Sequence, residues 1–440
     1  MSGMNSRFCD GISRRGVVQA GMTGLFSIPL SQILAQRSAT ADAGTPPDTA
    51  VIFLELAGGP TQHETYDPKP LAPAEYRGPL GTVPTGVTGV HFSEMMQQQA
   101  RIMDKLVILR AMHHNSGSHG TSSHLAQTGY YLRDRQNRDN EMPCIGSITA
   151  RVRGANRPGL PAFAALPSSM RYGRSAWLGK GFNPFSPGKS ANAKNFQVPN
   201  LTLLDGVSHA RLADRRALLA GFDDARRIAD RHGIAESTDE FARQAFDMVT
   251  GDAARDAFDI TAESDAVRDN YGRNSLGQDV LLARRLVEAG VTFVSVRCST
   301  LGSWDDHGKI EKQMKRKGPG YDQAVAALIN DLHDRGLAEK VMVIAMGEFG
   351  RTPRINRNAG RDHWGRVMSV LMAGGGLPAG QVIGSSDPTG SHPLERPYRP
   401  EHVLAMAYRH LGIDAELTFT DPAGRPRYVL ERRELIEELA

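Results

Sequence analysis

Cysteine is scarce in this chain, which has three cysteines among 440 residues, one of them at position 9. The other two, Cys144 and Cys298, are too few for a disulfide framework, and the sequence leaves open whether they pair with each other. Neither stands in a Cys-x-x-Cys or Cys/His spacing, which argues against a zinc–thiolate site. A chain of this length instead buries a large hydrophobic core, in one α/β domain or in two smaller ones.

Aromatic residues and net charge are also low, at 6% of the chain and a formal charge of +4. Nucleic-acid-binding proteins usually show a concentrated basic face and aromatic platforms, so we expect no nucleic-acid partner. Beyond the amino-terminal segment, no apolar run is long enough to span a membrane. The composition carries no information on the oligomeric state.

The amino-terminal segment has the features of an export signal. Arg14 and Arg15 precede an apolar stretch that extends to Leu34, and small residues follow up to Ala43. This pattern predicts a twin-arginine signal peptide over residues 1–43, although a chance arginine pair before a buried helix would look similar. Export by the twin-arginine translocase would place the folded protein in the periplasm or outside the cell.

Apolar runs alternate with polar loops and helical patterns along the rest of the chain. The runs that predict buried strands are Val51–Ala57, Leu106–Arg110, Val291–Arg297, Val341–Met346 and Val367–Ala373. Helices are predicted over residues 276–289, 321–335 and 401–411, and Ser122 or Ser123 is expected to cap a short helix that ends at Gly129. Strand, loop and helix in this order predict an α/β fold with a mostly parallel sheet covered by helices on both faces.

The middle of the chain has a different composition. Residues 150–205 are rich in Gly, Pro, Asn and Ser, and residues 212–271 have apolar positions at helical spacing. We therefore expect one domain over residues 44–440, with a loop-rich and helical insertion at about 150–272.

Polar residues with metal-binding side chains lie at the ends of three of the predicted strands. These residues are Asp305, Asp306 and His307 after one strand, Glu348 after another, and Asp362 and His363 before a third. Open α/β sheets bind ligands at the carboxyl ends of their strands, and Glu64, Asp67 and a histidine-rich loop over residues 113–124 add further candidates. The set suits zinc, manganese, magnesium or calcium. Two such ions about 4 Å apart would hold the attacking and leaving oxygens of a phosphoryl or sulfuryl transfer.

Each of these residues alone also has an ordinary structural explanation. A histidine near a strand end is often just hydrogen bonded, and an aspartate after a strand often caps a helix. The repetition of the same residue types at three strand ends is what favours a metal or anion site.

Several motifs in a fixed order carry a family resemblance. They are GGP-x5-YDPKP at residues 58–70, HHNSGSHGTSSHLAQTG at 113–129, WDDHG at 304–308, GEFGRTP at 347–353 and GRDHWG at 360–365. The chain resembles the domain-of-unknown-function 1501 family, whose members are exported bacterial proteins of the alkaline phosphatase/sulfatase superfamily. The resemblance implies a three-layer α/β/α fold like that of alkaline phosphatase.

The resemblance also implies roles for individual metal-binding residues. Asp305 and His307 resemble a metal-ligand pair, and His363 resembles a late ligand histidine that precedes a strand. Glu348 stands where the superfamily has a ligand aspartate, but Phe349 stands where the next ligand histidine is expected. The usual aspartate after the first strand is missing, so Glu64 or Asp67 would have to replace it.

The position of the nucleophile is the second departure from the superfamily pattern. When Thr128-Gly129 is matched to the helix ending of sulfatases, His119 falls at the position of the nucleophile. His119 could be a nucleophile or a metal ligand, or it could mark a lost activity. Arg351 is expected to hold an anionic group, although structural pairing with Glu348 or Asp362 is an equally good explanation.

Two functions follow from these expectations. The first is a sulfatase- or phosphatase-like, metal-dependent hydrolase of phosphate or sulfate esters, with an anionic ester or a sulfated or phosphorylated glycan as substrate. The second is a catalytically inactive protein that retains the fold and binds sulfated or phosphorylated polymers. An enzyme requires a bound metal and an open position beside a nucleophile, whereas the binding protein does not.

Overall fold

A seven-stranded sheet forms the centre of the protein. The computed structural model describes residues 48–198, 201, 246–248 and 251–440. The predicted signal peptide over 1–43 and most of the predicted helical region before residue 251 lie outside the described residues. In chain order the strands are β1 (Ala50–Glu55), β2 (Thr82–Pro84), β3 (His91–Ser93), β4 (Leu106–Met112), β5 (Phe163–Leu166), β6 (Phe293–Arg297), β7 (Val341–Met346), β8 (Gly350–Arg351), β9 (His363–Trp364), β10 (Met368–Gly374), β11 (Gln381–Ile383), β12 (Ser385–Ser386), β13 (Pro393–Glu395), β14 (Thr418–Thr420) and β15 (Pro426–Tyr428).

The central sheet is mainly parallel, as the sequence predicts. Its strand order is β11-β4-β10-β7-β1-β6-β5, and the other strands within the described residues form four two-stranded ladders. β5, β6, β1 and β7 are parallel neighbours, and β11 is parallel to β4. β10 runs antiparallel to both β4 and β7. The carboxyl ends of six strands and the beginning of β10 therefore lie at one edge of the sheet.

Helices connect the strands. Their bounds are α1 (Ala74–Arg77), α2 (Gln97–Arg101), α3 (His119–Thr128), α4 (Ile145–Val152), α5 (Ala253–Phe258), α6 (Asp265–Tyr271), α7 (Ser275–Ala289), α8 (Ile310–Asp334) and α9 (Pro400–His410). The ends of α7 show why the sequence forms a helix there: the Asn274 side chain accepts a hydrogen bond from the Gly277 amide at 2.9 Å, and Gly290 ends the helix at a positive φ.

Two apolar clusters cover the two faces of the sheet. Alternate residues of β1 divide between them, with Ile52 and Leu54 in one cluster and Val51 and Phe53 in the other. The first cluster contains residues of α7 and α8, and the second contains residues of α4 and α9. Burying each large aliphatic or aromatic side chain contributes about 1.5–3 kcal/mol, so these clusters supply most of the stabilisation. This two-sided burial explains why the strands are continuous apolar runs rather than alternating ones.

The structure departs from two sequence-based expectations and answers a question that the sequence leaves open. β5 lies inside the expected loop-rich insertion, yet it pairs with β6 as an edge strand of the central sheet. Ser122 and Ser123 lie inside α3 and do not cap it, because the helix begins at His119 after Ser118. Cys144 and Cys298 are both buried free thiols. Among the described residues, no helix has the length and apolar character needed to cross a membrane.

Candidate metal centre

The Asp305 carboxylate lies at the centre of a cluster at the carboxyl edge of the sheet. Three imidazole Nε2 atoms surround it: those of His307 and His363 lie 3.0 Å from Oδ1, and that of His119 lies 3.2 Å from Oδ2. The Nε2 atoms of His307 and His363 are themselves 3.0 Å apart. Four side chains from three separate chain segments thus converge on one point.

Each of the three imidazoles is held by its other ring nitrogen. Nδ1 of His119 lies 2.7 Å from Glu348 Oε1, Nδ1 of His307 lies 2.7 Å from Asp362 Oδ1, and Nδ1 of His363 lies 2.8 Å from the Gly117 carbonyl oxygen. A carbonyl or a carboxylate accepts hydrogen bonds, so each Nδ1 has an acceptor for its proton, which leaves Nε2 as the lone-pair nitrogen of a neutral ring. In the neutral rings, the three Nε2 lone pairs then face the Asp305 carboxylate. Metal-binding histidines are oriented in the same way.

These atoms fit a divalent cation. Without a cation or an additional proton between them, the Nε2 lone pairs and the carboxylate oxygens at 3.0–3.2 Å would repel one another. Adjacent ligands of a metal with bonds of about 2.1 Å are about 3 Å apart at right angles, which is the spacing found here. The described residues contain one group of three or more His, Cys, Asp or Glu side chains whose ligand atoms all lie within 4.8 Å of one another. This group consists of His119, Asp305 and His363.

Glu348 supports His119 from behind. Its carboxylate is buried and accepts hydrogen bonds from the Gly58 amide at 2.9 and 3.0 Å, in addition to that from His119. Gly58 follows β1 with φ of +111°, and a Cβ there would lie 2.5 Å from the Asp305 nitrogen. Only glycine fits this turn, and the turn presents its amide to Glu348. In this arrangement both Glu348 oxygens accept from protein donors, and Glu348 fixes the orientation of the His119 ring.

Arg351 is bound to the protein and is not free to hold an anion. Its guanidinium is fully buried and donates to the carbonyls of Gly58, Gly59 and Arg361 and, at 2.5 Å, to Asp305 Oδ1. A guanidinium has five N–H donors, and these four partners occupy its fork. Of the two explanations that the sequence offers, these contacts favour pairing with a carboxylate over the anion clamp, and the partner is Asp305 rather than Glu348 or Asp362.

The charges of the cluster follow from these contacts. Burial opposes the ionisation of Asp305, but the hydrogen bond and charge of Arg351 outweigh it and hold the pKa of this carboxyl well below its usual range. The hydrogen bond to Glu348 raises the pKa of His119, whereas burial lowers the pKa of His363. The side chains of Asp305 and His307 remain 32% and 46% exposed, so the cluster is open to solvent.

Glu64 and Asp67 do not join this cluster. Glu64 is buried in an ion pair with Arg361, at 2.7 Å, and accepts a hydrogen bond from Thr61. Asp67 is buried beside Lys69, at 3.0 Å, and accepts from Ser386. Both carboxylates are therefore committed to partners away from Asp305, and we correct the expectation that one of them completes the metal shell.

The rest of the histidine-rich loop is structural. His113 lies 3.0 Å from the Tyr398 carbonyl oxygen, His114 lies 2.6 Å from the Glu348 carbonyl oxygen, and His124 lies 2.7 Å from the Tyr130 carbonyl oxygen. Burial lowers the pKa of His114 to about 4. Of the four histidines in the loop, His119 alone contacts Asp305.

Phe349 packs against the cluster where the resemblance predicts another ligand. Its buried ring has its centroid 5.0 Å from that of His119 and 4.6 Å from that of His363. The Phe349 ring therefore covers one side of the His119 and His363 imidazoles with an apolar surface. The part that Asp362 plays in holding His307 was not assigned from the sequence, although its place next to His363 in the GRDHWG motif is a signal that could have suggested it.

Comparison with known proteins gives a family but no close relative. A family profile described as proteins of unknown function, DUF1501, matches residues 48–440. No curated protein is detectably similar in sequence to the chain.

Several solved structures are similar at low identity. Ps i-CgsB, solved in complex with k-i-k-neocarrahexaose, is 13% identical over 84% of this chain and 73% of that chain, with a TM-score of 0.35. The PsFucS1 sulfatase from Pseudoalteromonas sp. is 13% identical over 88% of this chain and 73% of that chain, with a TM-score of 0.36. A Bacteroides thetaiotaomicron protein, BT33494S-sulf, is 10% identical over 83% of this chain and 73% of that chain, with a TM-score of 0.36. Scores this low carry no argument about the chemistry of the cluster.

Proposed function

The chain belongs to the DUF1501 family of proteins of unknown function, and we propose that it is a metal-dependent hydrolase of phosphate or sulfate esters. The observation that carries the proposal is the convergence of three imidazole Nε2 atoms on the Asp305 carboxylate, each imidazole being fixed through Nδ1. The centre lies at the strand ends where α/β sheets bind ligands, and it is open to solvent.

Asp305, His119 and His363, whose ligand atoms lie within 4.8 Å of one another, would hold the metal, with His307 as a fourth ligand through its contacts with Asp305 and His363. Three imidazoles and one carboxylate suit zinc or manganese better than magnesium or calcium, which prefer oxygen ligands. When bound, such an ion supplies Lewis-acid polarisation of a phosphoryl or sulfuryl oxygen. In this proposal His119 is a ligand and not a nucleophile, because both of its ring nitrogens are engaged.

The surrounding residues keep the ligands in place. Glu348 and Asp362 hold the protons on Nδ1 of His119 and His307, so that the Nε2 lone pairs stay directed at the centre. Arg351 keeps Asp305 ionised and oriented. Phe349 excludes water from the side of the imidazoles that it covers.

Three broader features belong to the same proposal. The two apolar clusters on the faces of the sheet support a three-layer arrangement like that of alkaline phosphatase. The arginine pair at residues 14 and 15 supports export by the twin-arginine translocase to the periplasm or beyond. We place a sulfated or phosphorylated glycan among the candidate substrates, since an exposed edge site accommodates a polymer.

The test combines metal analysis with turnover. The exported full chain is analysed for bound metals and assayed on an aryl phosphate and an aryl sulfate, alongside His363→Ala and the control His333→Ala. His333 is exposed near the carboxyl end of α8, so its loss should change nothing. Stoichiometric metal, and turnover that His363→Ala abolishes, would support the hydrolase. A chain that holds metal and binds sulfated polymers without turnover would support the inactive binding protein, and a chain with no metal would refute the centre.

A further inference from the structure

One long segment of the chain contains no acidic residue. Between residues 142 and 204 there are eight Lys and Arg and no Asp or Glu, although the whole chain has 52 basic and 48 acidic residues. Part of this segment follows β5, at the same edge of the sheet as the metal centre. Arg171, Arg174 and Lys180 lie there and are exposed. An uncompensated positive charge at this edge is suited to an anionic ligand.

Arg171 is the member of this group that reaches the helix carrying His119. A Cβ built on Gly120, the residue after His119, would lie 3.4 Å from Nη2 of Arg171 and 3.1 Å from the Tyr172 hydroxyl. The guanidinium therefore lies against the first turn of α3, one residue from a metal ligand. Gly120 leaves room for this approach because it has no side chain.

The local structure holds Arg171 in place without neutralising it. Its guanidinium stacks on the Tyr172 ring, 4.9 Å from the centroid, and Tyr172 is buried with its hydroxyl donating to the Asn137 carbonyl at 2.7 Å. The Arg171 carbonyl accepts from the Gln127 side chain of α3. In the part of the chain that the structure describes, no carboxylate forms an ion pair with Arg171, in contrast to Arg351 and Arg361.

The backbone of this loop is strained in a way that favours the same role. Tyr172 has φ of +61°, a conformation that costs about 1–3 kcal/mol for a residue other than glycine. Such strain persists only where the surroundings fix it, and here the buried ring and the hydroxyl do so. The Tyr172 ring is therefore held in a fixed position, and the Arg171 guanidinium stacks on it.

We propose that Arg171 binds a sulfate or phosphate group of the substrate at the metal centre. This inference rests on the proposed hydrolase and supplies the anion-binding residue that Arg351 cannot be. The planar guanidinium fits two oxygens of a tetrahedral oxyanion. Arg174 and Lys180, exposed on the same loop, extend the positive surface toward a substrate with more than one anionic group.

The experiment measures equilibrium binding of inorganic sulfate and inorganic phosphate to the metal-loaded full chain by calorimetry. The variants are Arg171→Gln, Arg171→Lys and the control Arg157→Gln. Arg157 is also exposed and lies in the same acid-free segment. It packs beside Ala289 and Gly290, which precede the first residue of β6, so it lies at the edge of the sheet opposite to the metal centre. Metal content and the KM for an aryl ester are measured on every variant.

We expect Arg171→Gln to weaken binding of one or both anions by about 10- to 100-fold, because hydrogen bonds to a charged group contribute about 1.5–3 kcal/mol. Arg171→Lys should lose less, Arg157→Gln should match the wild type, and metal content should be equal in all four proteins. Turnover with unchanged anion affinity and KM in Arg171→Gln would overturn the inference and leave the hydrolase standing. Anion binding that depends on Arg171 in a chain without turnover would support the inference and refute the hydrolase. A wild type that binds neither anion overturns the inference outright.

Discussion

Replacing Glu348 by glutamine should weaken metal binding without removing a metal ligand. The carboxylate accepts from two groups, the Gly58 amide and Nδ1 of His119. Glutamine has the same length, but its amide nitrogen donates. At the Oε1 position, which accepts from both groups, it leaves Nδ1 of His119 without an acceptor, and at the Oε2 position it faces the Gly58 amide. If His119 is the group that loses it, the ring turns or shifts its proton to Nε2, and the lone pair that would bind the metal is lost.

The expected loss of metal affinity sets the size of the effect on stability. Loss of a carboxylate that orients a metal-binding histidine typically costs about 10- to 100-fold in metal affinity. At a free metal concentration of about 100 times the wild-type Kd, binding stabilises the folded chain by about 2.7 kcal/mol. The same concentration is then about 10 times to 1 times the Kd of Glu348→Gln, which gives about 1.4 to 0.4 kcal/mol.

The assay is urea unfolding of each protein with metal and with chelator, and the quantity compared is the difference between the two free energies of unfolding. Glu64→Gln is the matched control, since Glu64 is also a buried glutamate whose carboxylate accepts from protein donors, but it lies off the centre. We expect Glu64→Gln to lower stability in both conditions and to leave the metal-dependent difference unchanged. An undiminished difference in Glu348→Gln would refute the positioning role, and no difference in the wild type would refute the metal centre itself.

Three further predictions follow from the same contacts. Arg351→Met leaves three backbone carbonyls and Asp305 without their donor, so the free energy of urea unfolding in chelator should fall by about 3–5 kcal/mol, and a loss below 1 kcal/mol would contradict the network. Burial, reinforced by a nearby negative charge, raises the pKa of Glu55 from 4.5 to about 8, so the folded chain holds more protons than the unfolded chain in that window and stability should decline as pH rises through it. Glu55→Gln should flatten this decline in unfolding curves recorded from about pH 5 to about pH 9, and an unchanged slope would contradict the shift. Gly58→Ala adds a Cβ 2.5 Å from the Asp305 nitrogen at a positive φ, so it should lower both the thermal midpoint and the metal affinity, whereas a wild-type metal titration would show that the turn can relax.

The sequence predicts the sheet well because its strands are buried on both faces. Val341–Met346 was expected as a strand over the same residues that the structure shows, and the run at 106–110 differs from β4 only at its end. A continuous apolar run between polar loops leaves few alternatives. β5 was missed because Phe163–Leu166 is only four residues long and lies among Gly and Pro, where no periodicity can develop.

The candidate centre was predictable in part. Asp305, His307 and His363 were assigned as ligands from their places at strand ends, and the structure brings them together with His119. The role of Glu348 and the partner of Arg351 were not predictable, because whether a side chain meets a metal or a neighbouring protein group depends on tertiary distances. Glu64 and Asp67 illustrate the same dependence on tertiary distances. Their positions after the first strand are visible in the sequence, but their ion pairs with Arg361 and Lys69 are not.

The reversed direction of β10 has a consequence for folding kinetics. Because β10 runs antiparallel to β7, the segment that precedes β10 brings His363 to the edge of the sheet where the candidate metal centre lies. His119 and Asp305 meet at the same edge although they are 186 residues apart in the chain. Contacts this distant in sequence form slowly, since loop closure must precede them. We expect the ligands to assemble after the folding transition state, so that bound metal slows unfolding and leaves the refolding rate nearly unchanged.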